Sequence, residues 1–179
     1  TSSPACPATT TISDMGDAAA PSRAPGRGDD AGDAAWVQEA RDALAAADAA
    51  LAERFDRGED ATRLAGERAR AVDAVVAGAW RRCFPGPVAL ALFAVGGYGR
   101  GELFPHSDID LLVLADEAPV DEAGAALSRL FALLWDCGLP ASHSVRSAEQ
   151  CTAEAADDLT VMTALLEARP ISAGDVARA

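Results

Sequence analysis

The sequence predicts an α/β (α+β) fold, in which a small sheet is flanked by helices and preceded by a helical hairpin. Two apolar runs of strand length, residues 89–95 and 109–115, are separated by a turn that is rich in glycine. Apolar side chains recur at helical spacing before the first run and after the second. The chain has 179 residues and 50% of them are hydrophobic, which is enough for one domain with a substantial core.

The first half of the chain divides into an extension without a core and two helices. Residues 1–33 are mainly Ala, Gly, Pro, Ser and Thr with scattered acidic residues, a composition that predicts disorder. Large apolar side chains then recur at helical spacing over 34–56 and again over 61–83. The Pro-Gly-Pro run at 85–87 ends the second helix before the first strand. We therefore expect a helical hairpin over 34–86.

Further helices and one short strand are predicted after the second apolar run. Residues 121–137 carry one apolar stripe at helical spacing, which is typical of a helix packed on a core. A short third strand is expected over 141–145. Two short helices, 148–157 and 159–168, follow and are ended by Pro170.

Charge and composition exclude several classes of function. A formal net charge of −13 argues against a protein that binds nucleic acid, because Lys and Arg supply most of the affinity for phosphate backbones. The chain contains no lysine, which excludes a P-loop or kinase-type phosphate lysine. No apolar segment reaches the length of about 20 residues that a membrane span needs. Four cysteines without a C-x-x-C pair favour reduced thiols and the cytoplasm.

The most informative motif joins a glycine run to a pair of aspartates. Gly96 and Gly97 follow the first strand, where backbone N–H groups can reach a polyphosphate because no side chain stands in the way. Asp108 and Asp110 are two residues apart at the start of the second strand, so their carboxylates face one side about 6 to 7 Å apart. At that distance the like charges repel by roughly 2 to 3 kcal/mol at an effective dielectric of about 20.

A divalent cation would remove this repulsion, and Mg²⁺ takes one or two carboxylates together with water and phosphate oxygens. Each half of the motif also has an ordinary interpretation, since a Gly-Gly-Tyr-Gly run is often only a turn and a Ser-Asp pair is often a helix cap. Their order along the chain indicates a triphosphate-and-metal site of the kind used in nucleotidyl transfer. Arg100 and Arg146 are the local cations that could screen the phosphates of a bound nucleotide.

These motifs resemble those of a known family, the bifunctional PII uridylyltransferase/uridylyl-removing enzymes, and specifically their N-terminal nucleotidyltransferase domain. The resemblance covers roughly residue 34 to the end of the chain. It is specific because the motifs occur in order and in nearly unbroken stretches. The stretches are 94–114, Leu134-Trp135-Asp136, Ser142-His143-Ser144-Val145-Arg146 and Asp158-Leu159-Thr160-Val161, with Arg54-Phe55-Asp56-x-Gly58 and 68–73 upstream.

The resemblance implies a polymerase-β-like nucleotidyltransferase fold with a mixed sheet, whose core spans 87–179 and lacks the segments that follow it in the family. It also implies UTP and Mg²⁺ as substrate and cofactor, and a tyrosine of the small PII signal protein of nitrogen regulation as acceptor. By position, Gly96 and Gly97 match the triphosphate-binding turn. Asp108 and Asp110 match the catalytic, metal-binding pair.

One position departs from the resembled pattern. Related nucleotidyltransferases commonly supply a third carboxylate from a later strand, and Pro140 stands where members of this family often carry Glu. The third ligand is therefore missing, replaced by water or supplied from elsewhere. Two alternatives to uridylyl transfer stay open, a related protein adenylyltransferase and a nucleotide-binding regulatory module without turnover, and Pro140 favours the second.

Overall fold

A computed structural model describes residues 30–115 and 120–173 of the chain. The disorder predicted for 1–29 lies outside these described residues. Ten elements follow one another along the chain. They are α1 (Asp30–Asp56), α2 (Ala61–Cys83), β1 (Leu90–Ala94), α3 (Gly96–Gly99), β2 (Ile109–Ala115), α4 (Val120–Asp136), β3 (Ala141–Arg146), α5 (Ala148–Asp157), α6 (Leu159–Leu166) and β4 (Arg169–Ala173).

The four strands form one mixed sheet in the order β3-β2-β1-β4. Strand β1 is antiparallel to both of its neighbours, β2 and β4, whereas β2 and β3 are parallel. Helix α4 connects the parallel pair, as a parallel connection requires. The structure thus confirms the mixed sheet flanked by helices and preceded by two helices.

Alternation along the two central strands separates a core face from an open face, on which Ala91 and Leu112 are nevertheless also buried. Every second side chain of β1 and β2 belongs to one buried cluster, which α2 and α4 complete. This face of the sheet is therefore covered by the two helices. The cluster includes Leu90, Leu92 and Ala94 of β1, Ile109, Leu111, Val113 and Ala115 of β2, Val72 and Val76 of α2, and Leu130 and Leu134 of α4.

Helix ends follow from local sequence signals. The Asp60 side chain caps α2 by accepting a hydrogen bond from the Arg63 N–H at 2.8 Å. Ser147 and Gln150 form a reciprocal capping box at the start of α5. Gly138 has a φ of 81°, a left-handed conformation that suits glycine, and it ends α4 directly before β3.

The structure differs from the predictions at both ends of the described chain. Helix α1 begins at Asp30, four residues before the predicted start. Asp33, which the composition assigned to the disordered extension, accepts hydrogen bonds from Arg82 at 3.2 Å and from Arg129 at 2.7 Å. These ion pairs fix the first turns of α1 on α2 and α4, which composition alone could not indicate.

Strand β4 is an element that the sequence does not predict, because Pro170 indicates only the end of a helix. The strand lies at the edge of the sheet, where a residue without an N–H is tolerated. Pro170 pairs with Phe93 beside a shift in register between Leu92 and Phe93. None of the helices in the two described ranges is long and apolar enough to cross a membrane.

Candidate active site

The glycine turn and the aspartate pair lie side by side. The Val95 N–H donates a hydrogen bond to the Asp110 carbonyl at 3.0 Å, which ties the end of β1 to the start of β2. Gly96 has a φ of 59° and begins the short helix α3. A Cβ atom at Gly96 would lie 3.4 Å from Asp110 Oδ2, so the carboxylate approaches the turn to van der Waals distance. Glycine therefore serves both the backbone conformation and the close approach at this position.

The carboxylate of Asp110 lies in the electrostatic field of Asp108. Asp110 is half-buried as the second residue of β2, and Asp108 is exposed just before the strand. Burial raises the pKa of Asp110 above its ordinary value, and the negative charge of Asp108 raises this pKa further. Within the described ranges neither carboxylate forms an ion pair with an arginine. The pair therefore presents uncompensated negative charge and oxygen donors, which suit a hard divalent cation.

A cavity of about 310 Å³ adjoins Gly96 and Asp110 on the open face of the sheet. The β2–β3 register places Ser142 beside Asp110, Ser144 beside Leu112 and Arg146 beside Leu114. Helix α6 closes the opposite wall with mostly apolar side chains. The lining thus combines hydroxyl groups from Ser142, Ser144 and Thr160 with apolar surface from Leu112, Val161 and Leu165.

The two predicted arginines differ in position. Arg146 lines the cavity, and its guanidinium pairs with Glu154 at 2.7 Å. Arg100 lies outside the lining and pairs with Glu102 at 2.9 Å and with Glu167 at 2.8 Å. Hydrogen bonds to these two carboxylates raise the pKa of Arg100. Arg100 thus has carboxylate partners in place of a phosphate, and its nucleotide-binding role stays a prediction.

Gly97 does not line the cavity either. A Cβ atom there would meet Arg100 Nη2 and the Glu102 carbonyl oxygen, each at 3.6 Å. Its neighbours are thus in ordinary contact, and the requirement for glycine is weaker here than at Gly96. A triphosphate role for Gly97 depends on its backbone N–H, and that role stays a prediction.

No third acidic ligand accompanies the aspartate pair in the described part of the chain. Over these residues no group of three or more His, Cys, Asp or Glu side chains is arranged to hold a metal ion. The Pro140 carbonyl accepts a hydrogen bond from the Ile109 N–H at 3.2 Å, so Pro140 is adjacent to the start of β2, next to Asp108. A cation at the pair would complete its coordination with water and phosphate oxygens.

Tyr98 is a residue whose importance the sequence did not indicate. Within the glycine run it reads as a turn residue, yet its side chain is only 1% exposed. Its hydroxyl donates a hydrogen bond to Asp73 Oδ1 at 2.7 Å. The aromatic residue inside a run of glycines was the available signal of burial, because a large ring is unusual in a solvent-exposed turn.

His143 lines the cavity and remains exposed to solvent, while one face of its ring contacts α4. Its ring stacks on Phe131 of α4 with ring centroids 3.7 Å apart and an angle of 17° between the planes. Burial lowers the pKa of His143, which favours the neutral imidazole.

The chain is similar to known nucleotidyltransferases. Residues 79–157 match the nucleotidyltransferase domain family, and this range contains all six candidate site residues. Over 149 residues the chain is 59% identical to a bifunctional uridylyltransferase/uridylyl-removing enzyme from Xanthomonas campestris pv. campestris (strain 8004). The aligned residues make up 83% of the chain and 17% of that relative.

Two further relatives carry the same name. The one from Xanthomonas oryzae pv. oryzae (strain MAFF 311018) is 56% identical over 149 residues, with 83% of the chain and 17% of the relative covered. The one from Pseudomonas aeruginosa (strain LESB58) is 47% identical over 129 residues, with 72% of the chain and 14% of the relative covered. The chain therefore spans less than a fifth of the length of these relatives.

Proposed function

We propose that this chain transfers UMP from UTP to a tyrosine of the PII signal protein, because residues 79–157 match the nucleotidyltransferase domain family and the mixed sheet fits the polymerase-β-like fold. The relatives are named for uridylyl transfer, which supports UTP as the donor. The observation that carries the proposal is the 3.4 Å approach of Asp110 Oδ2 to the Cβ position of Gly96 beside an open cavity. Regulation of nitrogen metabolism in the cytoplasm is the corresponding cellular role.

Asp108 and Asp110 are the residues that would hold Mg²⁺. Their oxygens match the ligand preference of this ion, and binding it would relieve the repulsion that contributes to the raised pKa of Asp110. When bound, the ion lowers the pKa of the acceptor hydroxyl and screens the α-phosphate. The Gly96 and Gly97 N–H groups would hold the β- and γ-phosphates as the leaving group.

In the proposed reaction the tyrosine oxygen attacks the α-phosphorus of UTP in line with the leaving group. The bond from the α-phosphorus to the bridging oxygen breaks, pyrophosphate leaves, and the tyrosine proton passes to solvent. The nucleoside would occupy the cavity between β3 and α6, where Ser142, Ser144 and Thr160 offer hydroxyl groups. Arg146 lines the same cavity four residues beyond Ser142 and would contact the nucleotide after giving up its ion pair with Glu154.

A pyrophosphate-release assay tests this function. The chain is incubated with Mg²⁺ and UTP, ATP, CTP or GTP, with and without PII, and release is expected only when UTP and PII are both present. Asp108→Asn and Asp110→Asn are each expected to lower the rate roughly a thousandfold, because they remove the charge that holds the ion. The circular dichroism spectrum of each variant should match that of the wild type, because neither substitution is expected to unfold the chain.

The exposed Asp157→Asn is the matched control and should keep the wild-type rate, since it removes the same charge away from the cavity. Wild-type rates in either Asp108→Asn or Asp110→Asn would reject the assignment of the pair. Release that requires ATP in place of UTP would favour a protein adenylyltransferase.

A regulatory module is the second candidate, and Pro140 is the observation that favours it. A site with two carboxylates can bind a metal-nucleotide complex while lacking a group that turnover requires. Calorimetry and the pyrophosphate-release assay distinguish the two candidates. If the chain binds Mg²⁺ and UTP but releases no pyrophosphate in the presence of PII, the regulatory module is the correct candidate.

A further inference from the structure

The glycine turn rests on three side chains that come from three separate elements. Asp73 belongs to α2, Tyr98 to α3 and Arg169 to β4. The Tyr98 hydroxyl donates to Asp73 Oδ1 at 2.7 Å, and the tyrosine ring is 1% exposed. A helix of four residues has little stability of its own, so its orientation depends on contacts of this kind.

Arg169 joins the same carboxylate to the backbone of the turn. It donates to Asp73 Oδ2 at 2.8 Å and to Asp73 Oδ1 at 3.1 Å. It also donates to the Gly99 carbonyl and the Tyr98 carbonyl, each at 3.2 Å. The guanidinium carbon lies 5.5 Å from the centre of the Tyr98 ring, a distance at which a cation interacts favourably with an aromatic face. One guanidinium thereby orients two consecutive peptide groups of α3.

The charges of this cluster keep its hydrogen bonds in one arrangement. Burial raises the pKa of Tyr98, and the negative charge of Asp73 raises it further, so the hydroxyl keeps its proton and donates. Hydrogen bonds to Asp73 raise the pKa of Arg169, which stays a cation. The carboxylate and the guanidinium balance each other, and no buried side-chain N or O atom among the described residues lacks a partner.

The fixed end of the turn is connected to the end that faces the candidate site. The Gly99 N–H donates to the Val95 carbonyl at 2.9 Å, and the Arg100 N–H donates to the Gly96 carbonyl at 3.1 Å. Gly99 is also confined, because a Cβ atom there would collide with the Glu167 carbonyl oxygen. A rotation of α3 would therefore turn the peptide groups of Gly96 and Gly97 away from Asp110.

We propose that Asp73, Tyr98 and Arg169 are positioning residues that aim the Gly96 and Gly97 N–H groups at the β- and γ-phosphates of the nucleotide. They act through the backbone of the turn and do not contact the nucleotide themselves. This inference rests on the proposed function. It predicts a selective effect, since loss of the cluster should weaken binding of a triphosphate and leave binding of the corresponding monophosphate unchanged.

Affinities for UTP and UMP in the presence of Mg²⁺, measured by NMR titration, test this inference. Arg169→Gln removes the bonds to both carbonyl groups, and Tyr98→Phe removes a single oxygen atom. Each substitution is expected to weaken UTP binding about tenfold, while UMP binding changes by less than about twofold. A misdirected turn would cost the triphosphate about one hydrogen bond to a charged group, and such a bond corresponds to about a tenfold change in affinity.

The matched control is Arg54→Gln. Arg54 also bonds two carboxylates, Glu59 at 2.6 Å and Glu67 at 2.5 Å, but its hydrogen bonds join α1 to α2 and, among the described residues, reach no group of the turn. This variant tests whether losing an arginine network changes nucleotide preference by lowering stability alone. Its ratio of UTP to UMP affinity should equal that of the wild type.

Two results would overturn the inference while leaving the proposed function intact: unchanged UTP affinity in folded Tyr98→Phe, or equal weakening of UTP and UMP. If Arg169→Gln does not fold, Tyr98→Phe decides, because a hydroxyl deletion retains the ring in the core. A wild-type chain that binds UTP no better than UMP would overturn the triphosphate role of the turn, and the proposed function would fail together with the inference.

Discussion

Asp110 and Gly96 illustrate how single residues define the candidate site. The carboxylate of Asp110 has a raised pKa because it is half-buried next to Asp108, and it lies against a glycine with a positive φ. A side chain at position 96 would be strained by the backbone conformation and would crowd the carboxylate. The chemistry of the acid and the shape of the turn therefore depend on each other.

Gly99 provides a test of packing at the same turn. Gly99→Ala is expected to lower the free energy of unfolding by about 2 kcal/mol or more, because the new methyl group would collide with the Glu167 carbonyl oxygen and approach that of Ala94. Urea unfolding measures this difference.

Gly124→Ala is the control for Gly99→Ala, since it adds the same methyl group in helix α4 with no atom within 4 Å. It should raise the free energy of unfolding by about 0.5 to 1 kcal/mol through helix propensity. Equal stability of Gly99→Ala and the wild type would contradict the described packing of α3 against the end of α6.

The residues of the site were predictable from sequence to different degrees. The spacing of Asp108 and Asp110 follows from the period of a strand, and the Gly-Gly pair is evident in the printed chain. Tyr98 was not predictable in the same way, because its partners Asp73 and Arg169 are 25 and 71 residues distant in sequence. Such a contact depends on how α2 and β4 pack, which local patterns do not encode.

Secondary-structure elements followed the hydrophobic pattern where that pattern was long. Strand β2 and helix α2 have the predicted bounds, since apolar runs and caps mark both ends. Strand β4 was missed, because only its pairing with β1 makes the segment Arg169–Ala173 a strand. Tertiary pairing decides the structure of short segments that contain proline.

The contact between α1 and α2 leads to a prediction about pH. Hydrogen bonding to Arg54 lowers the pKa of Glu67 from its ordinary 4.5 to about 2. A lowered pKa in the folded state means that the contribution to stability is complete above about pH 4.5 and is lost as the pH falls towards 2. Arg54→Gln should therefore be less stable than the wild type at neutral pH.

Unfolding by urea across a pH series measures this difference. The difference in the free energy of unfolding between Arg54→Gln and the wild type should be constant above about pH 5. It should become steadily smaller at lower pH, as Glu59 and Glu67 become protonated. Glu39→Gln is a suitable control, because Glu39 is an exposed acid in the interior of α1, away from the helix ends. A difference in the free energy of unfolding that stays unchanged down to about pH 2 would contradict the ion pairs of Arg54.

At the scale of the whole molecule, the buried core stabilises the fold, and the candidate binding site lies on the other face of the sheet. Helices α2 and α4 cover one side of the sheet, and the cavity opens on the other beside α6. The formal net charge of −13 makes the surface unfavourable for a free nucleotide, so a cation at Asp108 and Asp110 would also offset long-range repulsion. The sequence predicted a small sheet flanked by helices, but it did not indicate which helices cover which face, because that depends on how α2, α4 and α6 pack.

Crystals of the wild-type chain grown with Mn²⁺ and a non-hydrolysable UTP analogue test the central claim most directly, since Mn²⁺ prefers the same oxygen ligands as Mg²⁺. We predict an anomalous peak in contact with the carboxylates of Asp108 and Asp110, with the β- and γ-phosphates against the N–H groups of Gly96 and Gly97. A metal bound elsewhere, or a triphosphate directed away from the turn, would contradict the account.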